Sequence, residues 1–431
     1  MAHKGPKTDN ILAKIWKLFN QSEFFKNVSS QILGTGIAQV LPFLATPLLT
    51  RLFSEKDFAI YTSFFAIASI FAVAAGGKYY LAIVLPKTEE DASKIFTLSI
   101  YLTVGYAFAL ALFLPFFHRF FPENLGNVLY YVPVYVLFFG IWSAYINLSI
   151  RHKTFKTNAI AKVLQATGYI IAALGIGFSK IMMFGLIIAK ITGTVASWLF
   201  LSQKSTTSFK WMAFGNLKEM AKAYIDYPKY GIWPALLNTI SLQALILILT
   251  KFYTTDDLGY FGLTFMVLSA PLALIGASYK DVFYQKIATM MNAERYREAL
   301  TFFKKSALAL LIMGVPICLV LYFFGEPLFG FVFGEKWSRS GEFASILAFS
   351  FLIKLVVSPL SSIFNATNTL QTASIWQVLY FISTFVTLTY CSAILKLPVV
   401  QLLLVYVVHE IVLYGIYFIM QYRTIKAYTV S

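Results

Sequence analysis

Apolar runs of about 20 residues, the length a helix needs to cross a ~30 Å hydrocarbon layer, recur along this chain from near Val28 to near Tyr422. Twelve fit with little chain left over, near 28–50, 58–77, 95–117, 127–149, 157–178, 181–203, 231–250, 258–279, 306–325, 343–364, 372–394 and 398–421. Hydrocarbon offers no hydrogen-bond partners to an open strand, so every run is read as a helix. The composition agrees, with 58% of the 431 residues hydrophobic and 13% charged, where a soluble domain carries roughly a quarter charged residues. The expected fold is an all-α integral membrane protein of about 12 transmembrane helices. Cys318 and Cys391 both fall inside apolar runs, which speaks against a disulfide framework or a thiolate metal site.

The net charge of +16 would favour nucleic acid only if the basic residues shared one water-facing surface. Instead they lie between spans. Counting alternate sides places 24 Lys and Arg on the side of the N-terminus, 8 on the other and 3 within spans. The positive-inside rule then puts both termini in the cytoplasm. Residues 1–27 carry no cleavable signal pattern, and Ile11, Leu12, Ile15, Trp16 and Phe19 suggest an amphipathic helix on the membrane surface. Trp211 to Tyr224 suggests another, within a linker at 204–230. The connections are short, the largest on the outer side being Glu326 to Glu342. No Walker-type phosphate loop is present, which counts against ATP-driven transport.

The halves repeat. Leu49-Thr50-Arg51-Leu52-Phe53-Ser54 with Asp57-Phe58 aligns without gaps to Leu249-Thr250-Lys251-Phe252-Tyr253-Thr254 with Asp257-Leu258, a constant offset of 200 that continues through Phe65 with Phe265, Gly76 with Gly276 and Tyr79 with Tyr279. Six spans per repeat is an even number, so the bundles 28–203 and 231–421 are expected to share one orientation about a pseudo-two-fold axis along the membrane normal, followed by a tail at 422–431. A cavity between such bundles can expose a substrate alternately to either side. Ser54 with Asp57 and Thr254 with Asp257 have the spacing of a helix N-terminal box, so these acids read as caps.

Charges inside spans are the candidate site. A charge at bilayer depth costs on the order of 3 kcal/mol or more, and such residues face a cavity or a partner. Lys190, Lys354 and Glu410 fall near the middles of their spans, while Lys162 is near enough to an end to snorkel. Three interior lysines against one acid make a net positive cavity, suited to phosphate, pyrophosphate or acidic sugars. Arg51, Lys251 and Lys78 are candidates for its entrances, their alternative being interfacial anchors. Lys354 and Glu410 can instead pair as a structural bridge. Glu410, with His409 beside it, is the candidate for proton or sodium coupling. Gln31, Gln39, Asn238, Gln243, Asn365 and Asn368 offer contacts to sugar hydroxyls or to neighbouring helices. Prolines 42, 47, 234, 271 and 359 are expected to kink their helices.

Leu49 to Tyr61, Gly76 to Lys87 and Leu217 to Pro234 with its Tyr227-Pro228-Lys229-Tyr230 together resemble the Wzx-like polysaccharide flippases of the multidrug/oligosaccharidyl-lipid/polysaccharide (MOP) exporter superfamily, whose two-bundle plan is that of the MATE transporters. The resemblance runs over essentially the whole chain. It implies a bacterial inner-membrane protein that flips an undecaprenyl-pyrophosphate-linked oligosaccharide, such as an O-antigen, capsule or exopolysaccharide repeat unit, from the cytoplasmic to the outer leaflet. It implies an ion gradient as driving force, no bound cofactor, and other polysaccharide assembly proteins as further partners. Where the family often has a basic-Tyr-Glu triplet, this chain has Lys78-Tyr79-Tyr80, so that acid is missing. Three rivals remain open: a multidrug or cation exporter, which needs acids in the cavity; a membrane enzyme acting on lipid-linked sugars; and a non-transporting scaffold.

Overall fold

The computed structural model describes residues 23–116, 126–179, 184–205, 209, 211–212 and 214–430, with side chains from Gly34 onward except at a few positions. The expected amphipathic segment of Ile11 to Phe19 and the side chain of Gln31 lie outside the described residues. Thirteen helices carry the fold: α1 (Glu23–Leu52), α2 (Glu55–Ala72), α3 (Glu89–Phe113), α4 (Val132–Arg151), α5 (Phe155–Phe178), α6 (Gly185–Lys204), α7 (Phe214–Ala223), α8 (Asp226–Phe252), α9 (Thr255–Asn292), α10 (Tyr296–Phe333), α11 (Ser338–Val357), α12 (Leu370–Thr389) and α13 (Val399–Val430). Among the described residues there is no strand. Among the described residues ten helices are long and apolar enough to cross a membrane, and α2 with its bent continuation makes an eleventh. The 30-residue α1 occupies the place of the first expected span.

Lipid rather than water is the solvent these helices are built for. Phe108, Ile171, Phe178 and Phe331 are 65–87% exposed, a display of bare apolar surface that a water-soluble monomer avoids. By contrast α7 is a short surface helix that buries Leu217 and leaves Lys218, Glu219 and Lys222 exposed.

Helices α2 and α9, whose sequences align at the offset of 200, start alike. Ser54 accepts from the Asp57 amide and Asp57 Oδ2 accepts in return from the Ser54 amide at 2.8 Å, while Thr254 accepts from the Asp257 amide at 3.1 Å. Asp57 thus completes a capping box, whereas at α9 the cap is Thr254 alone and Asp257 pairs with Arg339 at 2.9 Å. Further along, the two helices diverge. α9 runs on unbroken for 38 residues, whereas α2 stops at Ala72 and the chain turns by 60° into a 3-10 segment, Ala75–Val84. Gly76, Gly77 and Lys78 there have φ of 57°, 58° and 59°, a left-handed run that glycine adopts freely and other residues adopt at a cost. The equivalent stretch of α9 has Gly276 but then Ala277, and it stays helical. Prolines 42, 47, 234 and 271 lie inside continuous helices, and α11 gives way to a 3-10 turn at Pro359, while the 60° break falls at the glycine pair. Arg151 pins the chain after the bend, pairing with Glu89 at 2.8 Å and donating to the Pro86 and Thr88 carbonyls. The expected outer loop at Glu326 to Glu342 is mostly helical, because α10 continues to Phe333 and α11 begins at Ser338.

The first six helices pack mainly on one another, through α1 with α5, α5 with α6 and α3 with α4; the last six do likewise, through α10 with α11, α11 with α13 and α8 with α12. The two groups join at the face that carries the turns 53–54, 253–254 and 334–337. One apolar cluster there runs from Leu49, Phe53 and Phe58 through Leu249 and Leu258 to Trp337 and Phe343. Where Gly259 and Gly262 stand on α9, added Cβ atoms would lie 2.0 Å from the Glu55 carbonyl oxygen and 2.1 Å from Thr62 Oγ1, so α2 and α9 touch backbone to backbone. Trp337 Nε1 donates to the Thr50 carbonyl at 3.1 Å, Lys336 Nζ to the Phe53 carbonyl at 3.0 Å, and Ser63 meets Thr250 at 3.1 Å. Towards the opposite face the core divides. Tyr79, Phe96, Tyr145 and Leu217 form one cluster in the first group, and Phe283, Phe303, Trp376 and Ile425 form another in the last.

The bend makes a paired test. An alanine Cβ at Gly76 would sit 2.6 Å from Ser99 Oγ at a positive φ, so Gly76→Ala should lower stability by about 1–3 kcal/mol. Gly276 is helical with its nearest neighbour at 3.9 Å, and Gly276→Ala should be neutral or stabilising by about 0.5–1 kcal/mol. Thermal unfolding in detergent compares the two.

Candidate functional site: a lysine-lined cavity between the helix groups

Below the sealed face lies a cavity of about 450 Å³, within the range of small-ligand sites. α1 contributes Thr35, Gln39 and Pro42; α2 contributes Tyr61, Thr62 and Phe65; α5 contributes Lys162, Gln165 and Tyr169; Trp142 and Lys190 come from α4 and α6; Phe265, Met266 and Ser269 close it from α9. Both groups of helices therefore build it. No acidic residue is among the described lining residues.

The two lysines are held differently. Lys162 Nζ donates to Thr35 Oγ1 at 3.0 Å, a neutral partner. Lys190 Nζ lies 5.5 Å from the centroid of the Phe65 ring, a cation–π contact. Among the described residues neither ammonium has a carboxylate within ion-pair distance. Aromatic rings complete the wall, Tyr61 stacking with Tyr169 at 6.3 Å, and Gln165 is held by Thr194 at 3.2 Å. The rings of Tyr61, Trp142 and Tyr169 escape a sequence reading, since aromatics in apolar runs look like packing residues. Gln39 was singled out and lines the cavity.

Lys354 stands apart from this cavity. Its Nζ is 2.5 Å from Glu410 Oε2, donates to Tyr406 at 2.8 Å, and is surrounded by the rings of Phe351, Tyr406 and Tyr414 at 5.1–5.9 Å. Glu410 is fully buried, and its Oε1 accepts from the Tyr380 hydroxyl at 2.8 Å. His409 Nδ1 is 3.7 Å from the same oxygen, and its Nε2 meets Ser383 at 3.1 Å. Of the two expectations for Lys354, pairing is the geometry found, because a carboxylate two helices away in sequence lies directly opposite it. Arg51 and Lys251 are exposed at the sealed face and line no part of the cavity. Lys78 is half-buried at the bend, its Cδ 3.4 Å from where a Gly231 Cβ would stand, and it too lies outside the lining. Gln243 bonds Ser69 at 3.0 Å, a helix-to-helix contact.

The model for the polysaccharide biosynthesis protein family matches residues 48–342, which contribute most of the cavity and the sealed face. The chain belongs to this family. Among solved structures, this polysaccharide biosynthesis protein is similar to an inward-facing multidrug resistance MATE family transporter of the MOP superfamily, at 13% identity and TM-score 0.71, covering 91% of this chain and 96% of that one. It is similar to the lipid II flippase MurJ in an inward closed conformation, at 14% identity and TM-score 0.72, covering 90% and 86%. A MOP superfamily transporter from Pyrococcus furiosus, described by a reversed polarity of its binding pocket, matches at 12% identity and TM-score 0.60, covering 94% and 96%. No curated protein sequence matches significantly. The fold is thus that of the MOP superfamily, and the chain is a multi-pass membrane protein.

Breaking a buried ion pair one-sidedly costs ~3–5 kcal/mol, while replacing both members costs far less. Lys354→Met and Glu410→Gln should each destabilise by about 3 kcal/mol, and the double substitution by clearly less than their sum. A double-mutant cycle of unfolding free energies reads this coupling.

Proposed function

We propose that this protein flips an undecaprenyl-pyrophosphate-linked oligosaccharide, the repeat unit of an O-antigen, capsule or exopolysaccharide, from the cytoplasmic to the outer leaflet of a bacterial inner membrane. One observation carries the reading: the cavity shared by the two helix groups presents two ammonium groups that have no carboxylate partner among the described residues. A pyrophosphate carries about two charges there, and each contact at about 4 Å contributes roughly 4 kcal/mol at an effective dielectric of about 20. A cationic drug would meet repulsion in the same place. The surrounding rings of Tyr61, Trp142 and Tyr169 offer apolar faces to sugar rings. Family membership and the likeness to a lipid II flippase support the same substrate class.

In this reading the lysine-rich face is cytoplasmic, with both termini there, and the sealed face is the outer one. The cavity then receives its substrate from inside, and transport requires the contacts of Trp337, Lys336 and the α2–α9 crossing to part. A proton or sodium gradient supplies the energy, with Glu410 and His409 as the groups that respond to it, since Glu410 is the one described carboxylate buried at bilayer depth.

Charge is the variable to change. Lys190→Glu should abolish polymer export and cause lipid-linked oligosaccharide to accumulate on the cytoplasmic leaflet, while Lys190→Arg keeps most export. Membrane-inserted protein level and melting temperature check that both variants fold. Undiminished export by a folded Lys190→Glu protein would refute the site, and a null strain that accumulates no such lipid would refute the function.

A further inference from the structure

A second cavity, of about 440 Å³, lies against the other face of α9. It is lined by apolar side chains and the Cys318 thiol, among them Leu268 and Leu272 of α9, Ile317 and Leu321 of α10, and Phe351 of α11. The two cavities share a partition. On α9, Phe265, Ser269 and Ala273 face the lysines while Leu268, Pro271 and Leu272 face the apolar space. On α1 the consecutive residues Pro42 and Phe43 divide in the same way. The two helices of the partition meet where Thr46 Oγ1 contacts the Met266 sulfur at 3.6 Å. Both of its helices carry proline at the dividing level, Pro42 and Pro271, where a backbone hydrogen bond is lost and bending is easy.

A polar, doubly cationic chamber that abuts a wholly apolar one across a single seam has the polarity of one amphipathic molecule. We infer that the second cavity holds the isoprene units next to the pyrophosphate of the lipid carrier, so that the substrate lies across the α1–α9 seam with its head between Lys162 and Lys190 and its chain against α10. The inference rests on the flippase reading. Charge selects the occupant: two ammonium groups balance a pyrophosphate diester, whereas a phospholipid of the bulk membrane brings one phosphate. The chain gains no hydrophobic free energy by leaving lipid for this groove. Its placement therefore depends on the anchored head and on packing against rigid rings such as Phe43 and Phe351.

The test uses the full chain in vesicles of phosphatidylethanolamine and phosphatidylglycerol, with undecaprenyl pyrophosphate as probe. A photoreactive amino acid replaces Phe43 or Ile317 in the apolar cavity, Gln39 in the lysine cavity, or Phe108, which is 65% exposed on α3, as a lipid-facing control. The expected result, read by mass spectrometry, is polyprenyl adducts at Gln39 and at Phe43 or Ile317, none above background at Phe108, and loss of the Phe43 and Ile317 adducts in a Lys190→Glu background. Polyprenyl adducts at Gln39 with only phospholipid adducts at both groove positions would overturn the inference and leave the flippase reading standing. Absence of polyprenyl adducts at Gln39 as well would overturn both.

Discussion

A lysine ammonium at bilayer depth costs on the order of 3 kcal/mol or more unless it finds a partner or a polar space, and this chain meets that cost in two ways. Lys354 is neutralised by Glu410 and wrapped by tyrosines, a closed arrangement whose charges point at each other. Lys162 and Lys190 have a threonine hydroxyl and an aromatic face, which leave their charge available. A cavity around them is the physical consequence, since unpaired ammonium groups need a polar space or an anion. The distribution of carboxylates thus separates a buried ion pair from two lysines with no acidic partner among the described residues, in helices of otherwise similar composition.

The cavity exists because the helix groups meet at one end. Glycines 259 and 262 let α9 lie directly on α2, Trp337 seals the neighbouring turn against Thr50 and Phe58, and the apolar core is continuous across that face. At the other end each group has its own core. Contacts between the groups at the sealed face are van der Waals crossings and single hydrogen bonds, the latter each worth about 1 kcal/mol. The bend in α2 lies away from that seal, where Tyr79 bonds the Ala221 carbonyl of the surface helix α7.

Periodicity and charge made the membrane class, the spans, the helix caps and the interior lysines legible in the sequence. Four things were not, each for a physical reason. The break in α2 depends on two adjacent glycines taking positive φ, while Pro42, Pro47, Pro234 and Pro271, the stronger local signal, sit in helices that stay continuous. Helices α9 and α10 extend well past the expected spans, because Phe283 and Ile287 of one and Phe303 of the other are buried in a shared core while the lysines there stay exposed. Lys354 and Glu410 are 56 positions apart; the sequence offers their pairing as one of two readings, and only packing of α11 on α13 decides between them. The aromatic lining of the cavity is the fourth: Tyr61, Trp142 and Tyr169 differ from packing residues only in what lies opposite them.

The central claim is that this protein carries a pyrophosphate-linked lipid between leaflets, and transport by the purified protein tests it most directly. In proteoliposomes under an imposed proton or sodium gradient, a fluorescent undecaprenyl-pyrophosphate-linked oligosaccharide should move between leaflets faster than in protein-free vesicles. Excess anionic pyrophosphate lipid should slow that movement by competing for Lys162 and Lys190, whereas a cationic amphiphile should not. Movement no faster than in protein-free vesicles under either gradient would contradict the account.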